Sequence, residues 1–506
     1  MQALTARPPL QDRASTPLLA LLATLASAAL AYFGTGLHPI WLMTWLAPVP
    51  LIAIAARLRP RTTFLLAFLA WLAGGLNEWT YFTDILAAPL LLVALSLVIP
   101  AILFGLAVLL SRRLLVLERP FLAALALPVF WVTWEYLSSI GSPHGTFGNL
   151  GYTQMNCLPL IQVASITGIW GITFLVFLFA GTVGALLSGI GSPGERGLLA
   201  VSVGGLLCAV FVFGGWRIRS DSASQMVAVT LIARDVPMSV YTGPEDEGLK
   251  VLHEYAEAVR RLTPRGTQAV VLPEKVARVS GSHLPEIDAI FSSAALATNS
   301  AVDLGLVRRT STGGYNSARL YLPDGKTILN YDKHYLLPGV EPEKPGSRRV
   351  TLNQSALRWG LQICKDMDFP SLSRRYAEDD VSLMLVPAWD FGADGWLHAR
   401  MAVLRAVENG FGLARSARSG LLTLADSRGR ILAEAPSQPD QFVTVTGKLP
   451  VSAAPTLYSR LGDWFAWVCV AAFVAFLILL IAPKGNRRVG PRLYPANKHR
   501  NHSKPD

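Results

Sequence analysis

The chain has 506 residues, 52% of them hydrophobic and 16% charged, and its mean hydropathy lies above that of water-soluble globules, which places it among membrane proteins. A formal net charge of +11 would suit a nucleic-acid binder, but the basic residues fall between apolar runs and at the C-terminal end, a placement that reads as membrane topology and argues against nucleic acid as a partner. Four cysteines, Cys157, Cys208, Cys364 and Cys469, show no CxxC or His-rich spacing, so neither a disulfide framework nor a metal site is expected.

Arg7 and Arg13 precede the first apolar stretch as in a signal peptide, yet many further apolar runs follow, and the stretch reads as an uncleaved first span. At about 20 apolar residues per crossing, eight spans are expected, near 17–34, 40–57, 63–82, 87–111, 120–138, 165–189, 197–215 and 464–482. Arg57, Arg59 and Arg61 follow the second, Arg112, Arg113 and Arg119 the fourth, and Lys484, Arg487, Arg488 and Arg492 the eighth, whereas 34–39 and 138–158 carry almost no positive charge. Positively charged loops stay inside, so both termini are expected in the cytoplasm. Residues 1–216 are expected to form the membrane domain, 217–460 a domain on the periplasmic face of the inner membrane, 461–483 the last span and 484–506 a basic cytoplasmic tail. Arg217 and Arg219 oppose this placement mildly, but long translocated domains are largely indifferent to charge.

The outer segment is long enough for one domain with its own core. Apolar runs at Val227–Ile232, Ala269–Leu272, Leu304–Val307, Arg358–Ile363, Val381–Val386 and Gly412–Ala414 read as strands. Helical periodicity at Leu249–Leu262 and Trp396–Asn409 lies between them, and Pro323-Asp324-Gly325 and Asp426–Gly429 are turn signals. Such alternation favours an α/β sheet covered by helices.

Three residues at strand ends have chemistry to offer. Glu274 follows Val270-Val271-Leu272-Pro273, where side chains leaving a sheet often line a crevice; a solvated surface carboxylate is the competing reading. Cys364 closes the run Leu361-Gln362-Ile363 and precedes Lys365, Asp366 and Asp368, so it is either a thiol activated by a nearby cation or an inert core cysteine. Lys333 lies in Asn330-Tyr331-Asp332-Lys333-His334 and could support an oxyanion or sit on the surface. Together a base, an oxyanion partner and a nucleophile make a kit for acyl transfer. Lys275 would face away from Glu274 by strand alternation and receives no role.

Val271-Leu272-Pro273-Glu274, then Tyr331-Asp332-Lys333 with Leu337-Pro338 and Glu341, then Ile363-Cys364, resemble in order and spacing the Glu-Lys-Cys motifs of the nitrilase superfamily. With the eight spans, the chain resembles that superfamily's membrane branch, the apolipoprotein N-acyltransferases. Trp131, Glu135, Gly151–Gln154 and Gly168–Leu175 in the membrane half, and Ala388-Trp389, His398, Met401-Ala402, Arg405-Ala406, Glu408, Arg415 and Gly429 in the outer domain, extend the resemblance over nearly the whole chain. It implies a polytopic α-helical membrane domain plus an αββα sandwich, with Glu274 as general base, Lys333 as oxyanion partner and Cys364 as nucleophile, supported by Glu341, Asp366 and Trp389. It further implies that an acyl chain passes from a membrane phospholipid through a cysteine thioester to the α-amino group of a diacylglyceryl-modified lipoprotein, without cofactor or metal.

The chain departs from that pattern in three places. Lys365-Asp366 replaces the usual aromatic-Glu pair, so Lys365 either lowers the thiol pKa or points to solvent. Val386-Pro387-Ala388-Trp389-Asp390 replaces the usual Asn-Asp-Ala-Trp, and the loop Ser142–Gly148 is longer. A membrane-tethered amidohydrolase with the same triad, and a non-catalytic scaffold, remain the alternatives.

Overall fold

The computed structural model describes residues 15–220, 225–311, 313–354, 356–452 and 454–481. Arg7, Arg13 and the basic tail at 484–506 lie outside the described residues. Among the described residues, five helices are long and apolar enough to cross a bilayer: Pro17–Gly34, Leu90–Val116, Pro120–Gly141, Ile169–Ser188 and Pro193–Arg219. The last of these starts where the sequence directs it, with Ser192 and Glu195 in a reciprocal capping box and Pro193 in the first turn.

The other expected spans are shorter or broken. The 40–57 run divides into Trp41–Leu46 and Val49–Ala55 around Ala47-Pro48, because a proline removes a helix donor. The 63–82 run is the helix Pro60–Gly75 followed by the tight turn Leu76–Glu78 and the wide turn Tyr81–Ile85. The eighth is Trp464–Ile481. The sixth begins only at Ile169, since Gly168 at φ +67° separates it from the short helix Ala164–Thr167. Arg217 has a buried side chain that bonds Gln162 and the Val407 carbonyl, pinning the helix end to the outer domain.

Beyond the membrane half the strands are, in chain order, Gln225–Ala233 (β1), Ala269–Val271 (β2), Arg278–Val279 (β3), Ala301–Thr310 (β4), Gly313–Tyr321 (β5), Ile328–Asp332 (β6), Thr351–Gln354 (β7), Leu357–Leu361 (β8), Leu383–Trp389 (β9), Gly412–Arg418 (β10), Leu421–Ala425 (β11), Ile431–Pro436 (β12) and Val443–Val451 (β13). One sheet runs β13-β1-β2-β4-β5-β6 with β3 beside β4, the other β12-β11-β10-β9-β8-β7. The pairs β1–β2, β2–β4, β8–β9 and β9–β10 are parallel, and these central strands are the apolar runs visible in the sequence.

Alternation along each strand builds the layers. Val227, Val229 and Leu231 from β1 meet Leu383, Leu385 and Ala414 between the sheets. Ile232, Val270 and Val302 face the other way, onto the helices Glu245–Leu262 and Leu284–Thr298. On the second sheet Met384, Val386 and Leu413 pack under the helix Gly395–Asn409, whose Met401, Leu404 and Val407 share one core with Ile161 and Trp170 of the membrane half. The result is an αββα sandwich whose outer helix layer is welded to the membrane bundle. Glu408 Oε1 accepts from the Ile169 amide at 2.8 Å, and Arg405 donates to the Tyr152 hydroxyl at 3.1 Å.

Candidate active site

Glu274 lies just beyond β2, where its amide donates across the sandwich to the Ala388 carbonyl at 3.1 Å. The neighbouring β4 permits this path only because position 305 is glycine: a Cβ there would stand 2.3 Å from the Pro273 carbonyl oxygen and 2.6 Å from Glu274 Cα. Lys333 follows β6, its amide bonded to the Asn316 carbonyl of β5 at 2.8 Å. Its ammonium donates to Glu274 Oε1 and to Glu341 Oε2, both at 2.8 Å. The Asn316 side-chain amide joins the same carboxylates, reaching Glu274 Oε1 at 2.6 Å and Glu341 Oε1 at 2.9 Å.

Glu274 and Lys333 are 2% and 3% exposed, so each charge depends on its partner. Burial disfavours the Lys333 ammonium, but Glu274 and Glu341 outweigh it and hold its pKa well above the ordinary lysine value. Burial likewise disfavours the Glu341 carboxylate, yet Lys333 and Lys275 bring it down to about 2. Glu341 Oε2 also accepts the Leu337 amide at 2.7 Å.

Cys364 begins the turn after β8 and is partly exposed, with φ at +40°, a region non-glycine residues occupy at a cost of about 1–3 kcal/mol and chiefly at functional sites. Its Sγ donates to the Trp389 carbonyl at 3.5 Å. Burial, then the Glu274 charge, push the thiol well above its ordinary pKa, with Lys333 opposing. A thiol held up in this way is a poor nucleophile unless a neighbouring base takes its proton.

Asp366 ties the Cys364 turn to the Lys333 loop. It accepts from the Tyr331 hydroxyl at 2.6 Å and from the amides of Ile363, His334 and Tyr335 at 3.1, 3.1 and 2.9 Å. Trp389 lies under the Arg418 guanidinium, 3.9 Å from its ring centroid, and the following Asp390 pairs with Arg415 at 2.5 Å.

Glu274, Lys333 and Cys364 thus open on one cavity of about 150 Å³, which Glu341 and Trp389 also line. Asp366 stands behind it. The membrane half closes the cavity with Tyr81, Leu86, His144 and Phe147. Lys365 neither reaches solvent nor ranks among the main charges on the thiol, which are Glu274, Lys333, Asp390 and Arg415. Its buried ammonium stands 3.5 Å from Asp368 Oδ2 and 3.4 Å from His144 Nδ1.

Lys275 also overturns its expectation. β2 has ended at Val271, and Lys275 adopts φ +50°, so alternation no longer applies; its ammonium turns inward to Glu341 Oε1 at 2.8 Å. Asn316 carried no sequence signal, since Gly313-Gly314-Tyr315-Asn316-Ser317 lacks an apolar pattern. Among the described residues, no group of three His, Cys, Asp or Glu side chains could hold a metal ion.

Residues 19–182 match the family model of the apolipoprotein N-acyltransferase N-terminal domain, and 233–454 match that of the carbon-nitrogen hydrolases. The chain is 27% identical over 492 residues to the apolipoprotein N-acyltransferase of Geobacter metallireducens, covering 88% of this chain and 91% of that protein. To the protein of the same name from Neisseria meningitidis serogroup B it is 26% identical over 514 residues, covering 92% and 96%. Among solved structures, a carbon-nitrogen hydrolase superfamily protein from Xanthomonas campestris is 22% identical with a TM-score of 0.38, over 50% of this chain and 97% of that one. A nitrilase superfamily member of branch 10 from Saccharomyces cerevisiae is 20% identical with a TM-score of 0.38, over 53% and 99%.

Proposed function

Because this chain belongs to the apolipoprotein N-acyltransferase family, the membrane branch of the nitrilase superfamily, we propose that Cys364 carries an acyl group from a membrane phospholipid to the α-amino group of a diacylglyceryl-modified lipoprotein. The chain is an acyltransferase of lipoprotein maturation. Residues 217–460 act as its catalytic unit on the periplasmic face of the inner membrane, with both termini cytoplasmic.

In the first half-reaction Glu274 takes the Sγ proton as the thiolate attacks the ester carbonyl. The developing oxyanion draws on the Lys333 ammonium. Collapse forms the thioester, breaks the ester bond and returns the proton from Glu274 to the departing lysophospholipid alcohol. In the second, the amine attacks the thioester, Glu274 takes its proton, and the thiolate leaves and is reprotonated. The same base and the same cation serve both steps, so ping-pong kinetics follow.

The observation that carries this reading is the buried Glu274–Lys333 pair lining the same cavity as Cys364, with a wall shared between the sandwich and the membrane helices. An acyl chain is insoluble, and a site of that kind can receive one from the bilayer without exposing it to water.

Peptide mass spectrometry after mixing the protein with phospholipid bearing a labelled acyl chain tests the reading. The label is expected on the Cys364 peptide, released by hydroxylamine, absent from Cys364→Ala and passed to a diacylglyceryl peptide. No adduct on folded, lipid-loaded protein would overturn it. Labelled fatty acid released while the peptide stays unmodified would point to hydrolysis instead.

A further inference from the structure

The charged cluster continues beyond Glu341 to residues that the proposed mechanism leaves without a role. Lys275 Nζ stands 2.8 Å from Glu341 Oε1 and 3.0 Å from Glu343 Oε2, and Glu343 Oε1 accepts the Tyr241 hydroxyl at 3.0 Å. Lys275, Glu343 and Tyr241 are all buried. Burying an ammonium is costly, and the backbone at Lys275 is held in the left-handed region, which a lysine adopts only under constraint. Desolvation and strain are both accepted to place a second cation here.

The two carboxylates that share Lys333 are treated differently. Glu341 receives four donors, from Lys333, Lys275, Asn316 and the Leu337 amide. Glu274 receives two, both on Oε1, which leaves Oε2 without one. Any proton released at the cavity could in principle settle on either carboxylate. If Glu341 took it, Lys333 would be left with Glu274 as its one anionic partner and the proton would be stranded away from the reacting atoms. A second ammonium on Glu341 opposes its protonation by direct charge interaction.

We infer that Lys275 is a positioning residue which, anchored by Glu343, keeps Glu341 an anion throughout the cycle and so directs the proton of each half-reaction to Glu274. The inference rests on the acyl-transfer reading above.

The test uses the full-length protein in lipid nanodiscs with a fluorescent-acyl phospholipid, following thioester formation at Cys364 in single turnovers across pH. Lys275→Met removes the charge and keeps the stem; the acylation rate should fall at least about tenfold while the donor KM changes by less than about twofold. The acid limb of its rate–pH profile should move up by at least about half a pH unit, because Glu341 becomes easier to protonate. Lys275→Arg should restore both. An unmoved acid limb in folded Lys275→Met, or Lys275→Arg no better than Lys275→Met, would overturn the inference. If Lys275→Met does not accumulate, Glu343→Gln decides: it keeps both lysines and the shape of the side chain, and the rate should fall about threefold or more in protein that still folds. A full wild-type rate in that variant would equally overturn the inference. Absence of any thioester in the wild type is a different failure, one of the acyl-transfer reading itself.

Discussion

Lys333 Nζ donates to Glu274 Oε1 at 2.8 Å across an environment in which each is almost fully buried. Neither charge is sustainable alone, and Lys333 is also the cation paired with the proposed base. Lys333→Met should therefore fail twice. Without the ammonium, Glu274 and Glu341 face each other across Asn316, and the fold should lose about 3–5 kcal/mol. Acylation should fall by roughly 10²–10³-fold through loss of oxyanion support. Thermal melting and single-turnover acylation at one pH check both; a folded variant with an unchanged rate constant and only a weaker apparent donor affinity would remove Lys333 from the chemistry.

Gly305→Ala probes how Glu274 is aimed. The added methyl would press on the Pro273 carbonyl and Glu274 Cα at 2.3 and 2.6 Å, both backbone atoms that cannot swing aside. Overpacking of this kind costs about 1–3 kcal/mol, and a displacement of the base by about an ångström costs roughly 10²-fold in rate. The expected result is a folded, slightly destabilised protein with little acylation. Full activity would mean that the strand end yields without moving the carboxylate.

What was legible in the sequence follows from burial. β1, β2, β4, β8, β9 and β10 sit inside the sandwich and each carries a short apolar run, whereas the edge strands β7 and β12 expose alternate or successive residues and gave no such run. Glu274 and Cys364 follow visible strands and were found from them together with the motif they complete. Asn316 comes from β5, whose first residues are polar and glycine-rich, and it reaches Glu274 only through tertiary pairing. Lys275 was misread because alternation was carried past the end of β2 into a left-handed turn. Helix ends inside the membrane half were illegible for a related reason: hydropathy does not register Ala47-Pro48 or Gly168 as interruptions.

His398 should give the outer domain a stability that fades in alkali. Burial alone would lower its pKa, but the hydrogen bond and charge of Asp394, 3.2 Å from Nε2, raise it to about 9. A raised folded-state pKa means the contribution is complete below about 6.5 and lost as pH rises through about 9, a difference on the order of 3 kcal/mol. Asp394 also accepts the Tyr81 hydroxyl at 2.8 Å, so the loss falls on the cavity wall between the two halves. Melting temperatures should decline between pH 6.5 and 9 in the wild type and be flatter, and lower at pH 6, in His398→Gln. Parallel curves would show that His398 is not the titrating group.

The loop at 142–148 offers a way to separate the chemistry of Cys364 from its access to lipid. The Thr146 amide and hydroxyl both donate to the Asp368 carbonyl, at 2.9 and 2.8 Å, fastening the membrane half four residues beyond Cys364. Gly145 makes the contact possible at φ +55°, with space for no Cβ: one would lie 2.5 Å from the same carbonyl oxygen. Thr146→Val keeps the amide bond but loses the hydroxyl's contacts with the Asp368 carbonyl and the Tyr152 hydroxyl, and should cost about 1–3 kcal/mol. Gly145→Ala adds backbone strain to the clash and should part the two surfaces. The Glu274–Lys333 pair lies on the sandwich side and should survive, so a small water-soluble alkylating reagent should modify Cys364 at least as fast as in wild type. Transfer from a bilayer phospholipid, which needs the shared wall, should drop by about tenfold or more. Equal losses in alkylation and acylation would place the damage in the triad rather than in the junction that feeds it.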